Sequence, residues 1–116
     1  MDKARVIKAH APDSPVSLIM KEGDILHGER RATDWDGWLW CTSDSGVSVW
    51  VPKVFLSKLP EGDLYRATCD YDSRELEISA GQEVEILSKT AGWAWVRTGN
   101  GGEGWIPLDN LMYLPK

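Results

Sequence analysis

Apolar and polar positions alternate over short runs along this chain, and no stretch keeps a helical period. Glu75-Leu76-Glu77-Ile78 and Glu83-Val84-Glu85-Ile86 each alternate strictly, the period-two pattern of a half-buried strand. Ala80-Gly81-Gln82 lies between them as an expected tight turn, with Gly81 supplying a positive φ. Trp93-Ala94-Trp95-Val96-Arg97 alternates again. Thr98-Gly99-Asn100-Gly101-Gly102 reads as a hairpin loop. Gly104-Trp105-Ile106-Pro107 follows as a short strand, which its proline assigns to an edge or a strand end. The small residues Ala94 and Val96, like Leu39 and Cys41, suit a tightly packed interior. Trp38 and Trp93 are therefore expected on the outer face.

The pattern is written twice. Trp38, Trp40 and Trp50 recur as Trp93, Trp95 and Trp105 at an offset of 55, together with Gly37/Gly92, Gly46/Gly101, Pro52/Pro107, Leu56/Leu111, Leu59/Leu114 and Pro60/Pro115. Gly23 pairs with Gly81 at 58, and Arg5-Val6 with Arg66-Ala67 at 61. The second copy has thus lost three residues in each of two loops, where deletion is tolerated. Two copies are too few for a solenoid. About five short strands per copy imply an all-β chain of two five-stranded small barrels in tandem, because closure removes sheet edges. The expected domains are 1–60 and 61–116, divided at the turn-like Pro60-Glu61-Gly62.

Composition narrows the function. The net charge is −5, carried by the second half, where five Lys/Arg face ten Asp/Glu, while residues 1–60 balance at eight each. Such a chain does not attract phosphate backbones, so no nucleic acid is expected, and its acidic half suits a basic partner. No apolar run approaches the roughly 20 residues of a membrane helix, and the N-terminus lacks an apolar signal stretch, so no membrane is expected and the expected location is the cytoplasm. Two cysteines make no disulfide framework and, with two histidines, no Cys/His metal site. Cys41 reads as an inert core thiol and Cys69 as partly exposed. Gly99-Asn100-Gly101-Gly102-Glu103-Gly104 has dinucleotide-loop glycine spacing but lacks the following helix, so it reads as a hairpin. His10 and His27 have no Ser or Cys partner motif, and neither catalysis nor a cofactor is expected. The acids Asp70, Asp72, Glu75 and Glu103 fit either solvated loops or the flank of one groove for a basic peptide.

Ala67-Thr68-Cys69-Asp70-Tyr71, Glu75-Leu76-Glu77-Ile78-Ser79-Ala80-Gly81, Gly92-Trp93 and Gly104-Trp105-Ile106-Pro107 together resemble a Src-homology-3 (SH3) domain. They are similar in turn to its A-L-Y-D-Y strand, its diverging turn, its groove tryptophan and its G-Y-I-P segment. The first copy resembles it more loosely through Val6–His10, Leu18–Asp24, Gly37-Trp38 and Trp50-Val51-Pro52. The resemblance is to prokaryotic tandem variant SH3 proteins. It implies a non-enzymatic module that binds peptide segments, proline-rich or basic, in aromatic grooves. The implied groove residues are His10, Trp38, Trp50, Pro52 and Phe55 in the first copy. In the second they are Tyr71, Trp93, Trp105 and Pro107, with Glu75 as the acid that meets a ligand cation. The chain departs from the family pattern at Lys8, Cys69, Asn110, Ser17 and Val49. The alternatives are a structural or oligomerisation unit with self-occupied grooves, and cell-wall glycan binding. Ile19 and Ile25, outward by strand alternation, form an expected apolar patch for interdomain packing or a homodimer.

Overall fold

The computed structural model describes residues 2–12, 17–31 and 36–115. The described residues form twelve short strands: β1 Asp2–Val6, β2 Ile19–Met20, β3 Ile25–Glu29, β4 Trp38–Thr42, β5 Ser48–Pro52, β6 Leu56–Lys58, β7 Leu64–Ala67, β8 Tyr71–Asp72, β9 Glu83–Thr90, β10 Trp93–Thr98, β11 Glu103–Pro107 and β12 Leu111–Tyr113. Single 3₁₀ turns, Lys53–Phe55 and Leu108–Asn110, precede β6 and β12. The chain is all-β. No helix among the described residues is long and apolar enough to cross a membrane.

Two compact units result, and they are not the halves 1–60 and 61–116 that the repeat leads one to expect. One is Val16–Ser73; the other joins Met1–Pro15 to Arg74–Lys116. The first holds an antiparallel ladder in the order β5-β4-β3-β7-β6, plus the two-stranded pair β2-β8. The second holds β11-β10-β9-β1-β12. In each ladder the strand next to the last comes from the other repeat. β1, which opens the first repeat, lies between β9 and β12. β7, which opens the second, lies between β3 and β6.

The connection after β6 explains this exchange. β6 and β7 are antiparallel neighbours with Leu56 opposite Ala67 and Lys58 opposite Tyr65. The turn between them is closed by Leu59 N–H to Leu64 O (3.0 Å) and Leu64 N–H to Glu61 O (3.2 Å), with Gly62 at φ 52°. Antiparallel strands joined by so few residues pair as a hairpin. The last strand of one repeat therefore holds the first strand of the next beside it, and β1 occupies the equivalent place in the other ladder.

Within each unit, alternation sorts the side chains as the sequence predicts. In the unit 16–73, Met20, Leu26, Leu39, Cys41, Val51 and Ala67 are buried. In the other, Ala4, Val6, Ile78, Val84, Ile86, Ala94, Val96, Ile106 and Leu111 form one core cluster. Gly81 turns the chain at φ 94°, as expected, and its counterpart Gly23 at φ 93°.

Four expectations are corrected. Each five-stranded ladder ends on edge strands, so the paired sheets are open rather than closed barrels. Residues 75–78 are not a continuous strand. Glu75 bridges Trp105 in parallel and Ile78 bridges His10, because this segment braces β11 instead of joining the ladder. Trp38 is only 8% exposed, so the outward face of β4 does not leave it in solvent. Ile19 is outward but stays 63% exposed, and Ile25 is half-buried opposite Arg66, so the expected patch is not covered.

Candidate functional site

Each unit gathers one aromatic cluster, and the strand exchange decides its membership. In the unit of 1–15 with 74–116, two backbone bonds hold His10 against Ile78: His10 N–H to Ile78 O (3.0 Å) and Ile78 N–H to His10 O (2.8 Å). Its ring meets Trp93 edge-on, with centroids 5.5 Å apart, and its Nε2 lies 2.8 Å from Glu75 Oε1. Glu75 is placed by its bridge to β11, where Leu76 N–H donates to Trp105 O and Trp105 N–H to Arg74 O. Gly104 makes that approach possible. A Cβ there would lie 2.8 Å from Leu76 Cγ and 3.1 Å from Arg74 O.

Asn110, in the sequence only a departure from the family pattern, is a buried tie. Its Nδ2 donates to Lys8 O (3.1 Å) and Ala9 O (3.4 Å), fixing the segment that delivers His10. A polar residue amid the apolar pattern at Leu108–Leu111 was the signal, since buried amides are kept where they find partners. Trp105 is buried against Trp95, centroids 5.4 Å apart, and Pro107 is buried opposite Trp93. Trp95 donates from Nε1 to Glu103 (2.9 Å), and the Arg74 guanidinium lies 5.7 Å from its ring centroid. Trp93, half-buried like Trp95, meets His10, which in turn meets the Glu75 carboxylate.

In the unit 16–73, Tyr71 takes the corresponding role. β8 pairs with β2, Met20 opposite Tyr71, and Leu18 N–H donates to Ser73 Oγ (2.8 Å). The Tyr71 hydroxyl donates to Trp50 O (3.0 Å), and its ring lies 5.7 Å from that of Phe55. Trp50 packs edge-on against Trp40 (5.2 Å), and Arg31 lies 4.9 Å from the Trp40 ring centroid. Pro52 is buried opposite Trp38.

The expected groupings are therefore redrawn. His10 does not join Trp38, Trp50, Pro52 and Phe55; Tyr71 does. Tyr71 does not join Trp93, Trp105 and Pro107; His10 does, with Glu75. The acids divide as well. Asp70 and Asp72 belong to one unit, Glu75 and Glu103 to the other. Asp70 accepts from Glu22 N–H (2.9 Å) and lies 3.7 Å from Lys21 Nζ.

The remaining candidates behave as ordinary structure. Burial pushes the Cys41 thiol up to about 12, which suppresses thiolate. Cys69 is half-buried, and desolvation raises its pKa, with Asp70 and Glu22 adding to the shift and a hydrogen bond with Thr68 opposing it. His27 Nδ1 lies 3.0 Å from Asp63 Oδ1 on an exposed edge. The glycine-rich segment 99–104 closes the β10–β11 hairpin through Thr98 N–H to Gly102 O (2.8 Å) and Gly101 N–H to Thr98 O (3.0 Å). Among the described residues no group of three metal-ligating side chains gathers.

SH3-type domains are in general non-catalytic modules for protein interaction. No curated protein and no solved structure is matched by this chain. Residues 64–112, from β7 through the 3₁₀ turn into β12, match the family model of the variant SH3 domain.

Proposed function

We propose that the chain is a non-enzymatic, cytoplasmic protein-interaction module, built from two SH3-like units of prokaryotic type, that binds peptide segments through aromatic grooves. One groove uses Trp93, His10 and Glu75, with Trp105 and Pro107 behind them. The other uses half-buried Trp50 and Phe55, with Tyr71, Trp38 and Pro52 as buried support. The observation that carries this reading is that the half-buried Trp93 ring and the Glu75 carboxylate both meet His10, at 5.5 Å between ring centroids and 2.8 Å from Nε2. An aromatic face takes a proline ring of a polyproline-II segment, and an adjacent acid takes an arginine or lysine. A proline-rich or basic peptide is the ligand chemistry that fits.

The test is fluorescence anisotropy with a labelled peptide carrying two prolines and a flanking arginine. Trp93→Ala is expected to weaken binding by about 30-fold, the roughly 2 kcal/mol of an aromatic hot spot. Glu75→Gln is expected to weaken the arginine peptide and leave its arginine-to-alanine counterpart unchanged. If Trp93→Ala binds as tightly as the parent chain, the groove reading is wrong.

A second reading, a structural or oligomerisation unit with self-occupied grooves, draws on two observations. His10 already sits on Glu75, and Ile19 is 63% exposed. Under it, sedimentation shows a dimer that Ile19→Glu dissociates, and no peptide binds until His10 is removed.

A further inference from the structure

The unit 16–73 carries six cations, Lys21, Arg30, Arg31, Lys53, Lys58 and Arg66, among ten carboxylates. Three of the six converge on one pocket. Arg30 follows β3, Lys53 opens a 3₁₀ turn and Lys58 ends β6, and together with Leu39, Leu56 and Tyr65 they line a cavity of about 220 Å³. Lys21 and Arg31 have carboxylate partners in Asp70 and Glu29. Arg30 and Lys53 have none among the described residues. Lys58 donates to the turn carbonyls of Leu59 and Gly62, and its ammonium lies 5.6 Å from the Tyr65 ring centroid.

The pocket is a property of this unit's side chains rather than of the ladder. Gly28 lets Tyr65 lie flat against β3, since a Cβ there would come within 2.4 Å of the tyrosine ring and 2.6 Å of Leu39 Cδ2. In the other repeat Gly28 corresponds to Ile86 and Tyr65 to Ala4, both buried in the core. By ladder register, across the bulge in β9, Arg30 corresponds to Lys89, and Lys53 and Lys58 correspond to Leu108 and Tyr113. There one cation remains, Lys89, and its ammonium donates to the Tyr113 hydroxyl at 3.0 Å.

We propose that this pocket binds a small aryl phosphate. An apolar cavity of roughly 150 Å³ takes a benzene ring. The remaining room holds a phosphoryl group, whose two charges and three acceptor oxygens match an arginine fork and two ammonium groups. Leu39, Leu56 and Tyr65 supply the apolar contacts for the ring. The site shares no residue with the peptide grooves proposed above, so it stands apart from that reading.

The test is titration of the full chain with phenyl phosphate, followed by NMR at the Leu39 and Leu56 methyl groups and the Tyr65 ring. Saturable shifts are expected at all three, with inorganic phosphate and phenol each binding at least about tenfold more weakly. Arg30→Glu/Lys53→Glu, at exposed positions, is expected to cost about tenfold or more in affinity, and Trp93→Ala to cost nothing. If the double variant does not fold, Lys53→Gln carries the same test with a smaller loss. A pentapeptide with capped ends, a central phosphotyrosine and no other charged side chain separates the two sources of such a group. Binding as tight as phenyl phosphate assigns a protein side chain, and binding about tenfold weaker assigns a free small molecule. The absence of saturable shifts, equal affinity for inorganic phosphate, or undiminished binding by the charge-reversed variants overturns the proposal.

Discussion

Gly104 and Tyr71 show how much of each candidate site rests on one atom. Gly104 has no side chain between β11 and the 74–76 segment, and that gap is what sets Glu75 beside His10. Gly104→Ala is expected to push the segment away. It should lengthen the Trp105 to Arg74 backbone bond, destabilise the unit by about 1–3 kcal/mol, and weaken any ligand that uses Glu75. Thermal melts and amide exchange at Trp105 check this. Tyr71 anchors the other cluster through its hydroxyl on the Trp50 carbonyl. Tyr71→Phe keeps the ring against Phe55 and is expected to cost about 1 kcal/mol in denaturant melts. A variant as stable as the parent would show that the bond contributes nothing net.

At the scale of the element, the β6–β7 hairpin is the decisive piece. Its turn ends on Asp63, whose backbone carbonyl accepts from Gly28 N–H (2.8 Å) and whose carboxylate meets His27. The hydrogen bond with His27 holds the Asp63 carboxyl below its ordinary range. A depressed acid stabilises the fold above its unfolded-state pKa, and the contribution is lost as pH falls through the lowered folded value. Asp63 is fully exposed, so solvent screens the pair and the effect is small. Asp63→Ala is expected to lower the melting temperature slightly at neutral pH, and the two melting curves should converge in strong acid. A gap that persists or widens in acid would mean that the carboxylate's charge is not what matters there.

For the whole molecule, the exchange of β1 and β7 makes truncation diagnostic. The unit 16–73 is contiguous and contains every strand of its ladder, whereas the other needs both chain ends. Deleting residues 1–9 removes β1 from between β9 and β12, taking the buried Ala4 and Val6 with it. Amide signals from 74–115 are expected to collapse to random-coil positions while those from 17–73 persist. A chain folded as the two halves would instead lose the first repeat, and that outcome would refute the exchange.

Several features were legible without coordinates because their causes are local. The alternation of Trp93–Arg97 set Ala94 and Val96 inward, the need for a left-handed residue put Gly81 in its turn, and the offset of 55 showed that Trp95/Trp105 and Trp40/Trp50 are equivalent pairs. In the structure both pairs are directly opposed across a hairpin. Glu75 was recognisable by its place before a diverging turn, although its neighbour was not. Asn110 was visible only as a departure from the family pattern and Gly104 only as a match to it, since what they contact lies far away along the chain.

The sequence by itself determined most of the strands and inward faces, the repeat and the charge balance, because backbone sterics and side-chain alternation act within a few residues. Tertiary structure alone decided which first strand serves which ladder, and therefore whether His10 or Tyr71 stands beside Trp93. Arg5-Val6 and Arg66-Ala67 are near-equivalent pieces of sequence, so local propensity does not distinguish them. Connectivity does. A turn of a few residues keeps β7 against β6, and β1 takes the place left open between β9 and β12.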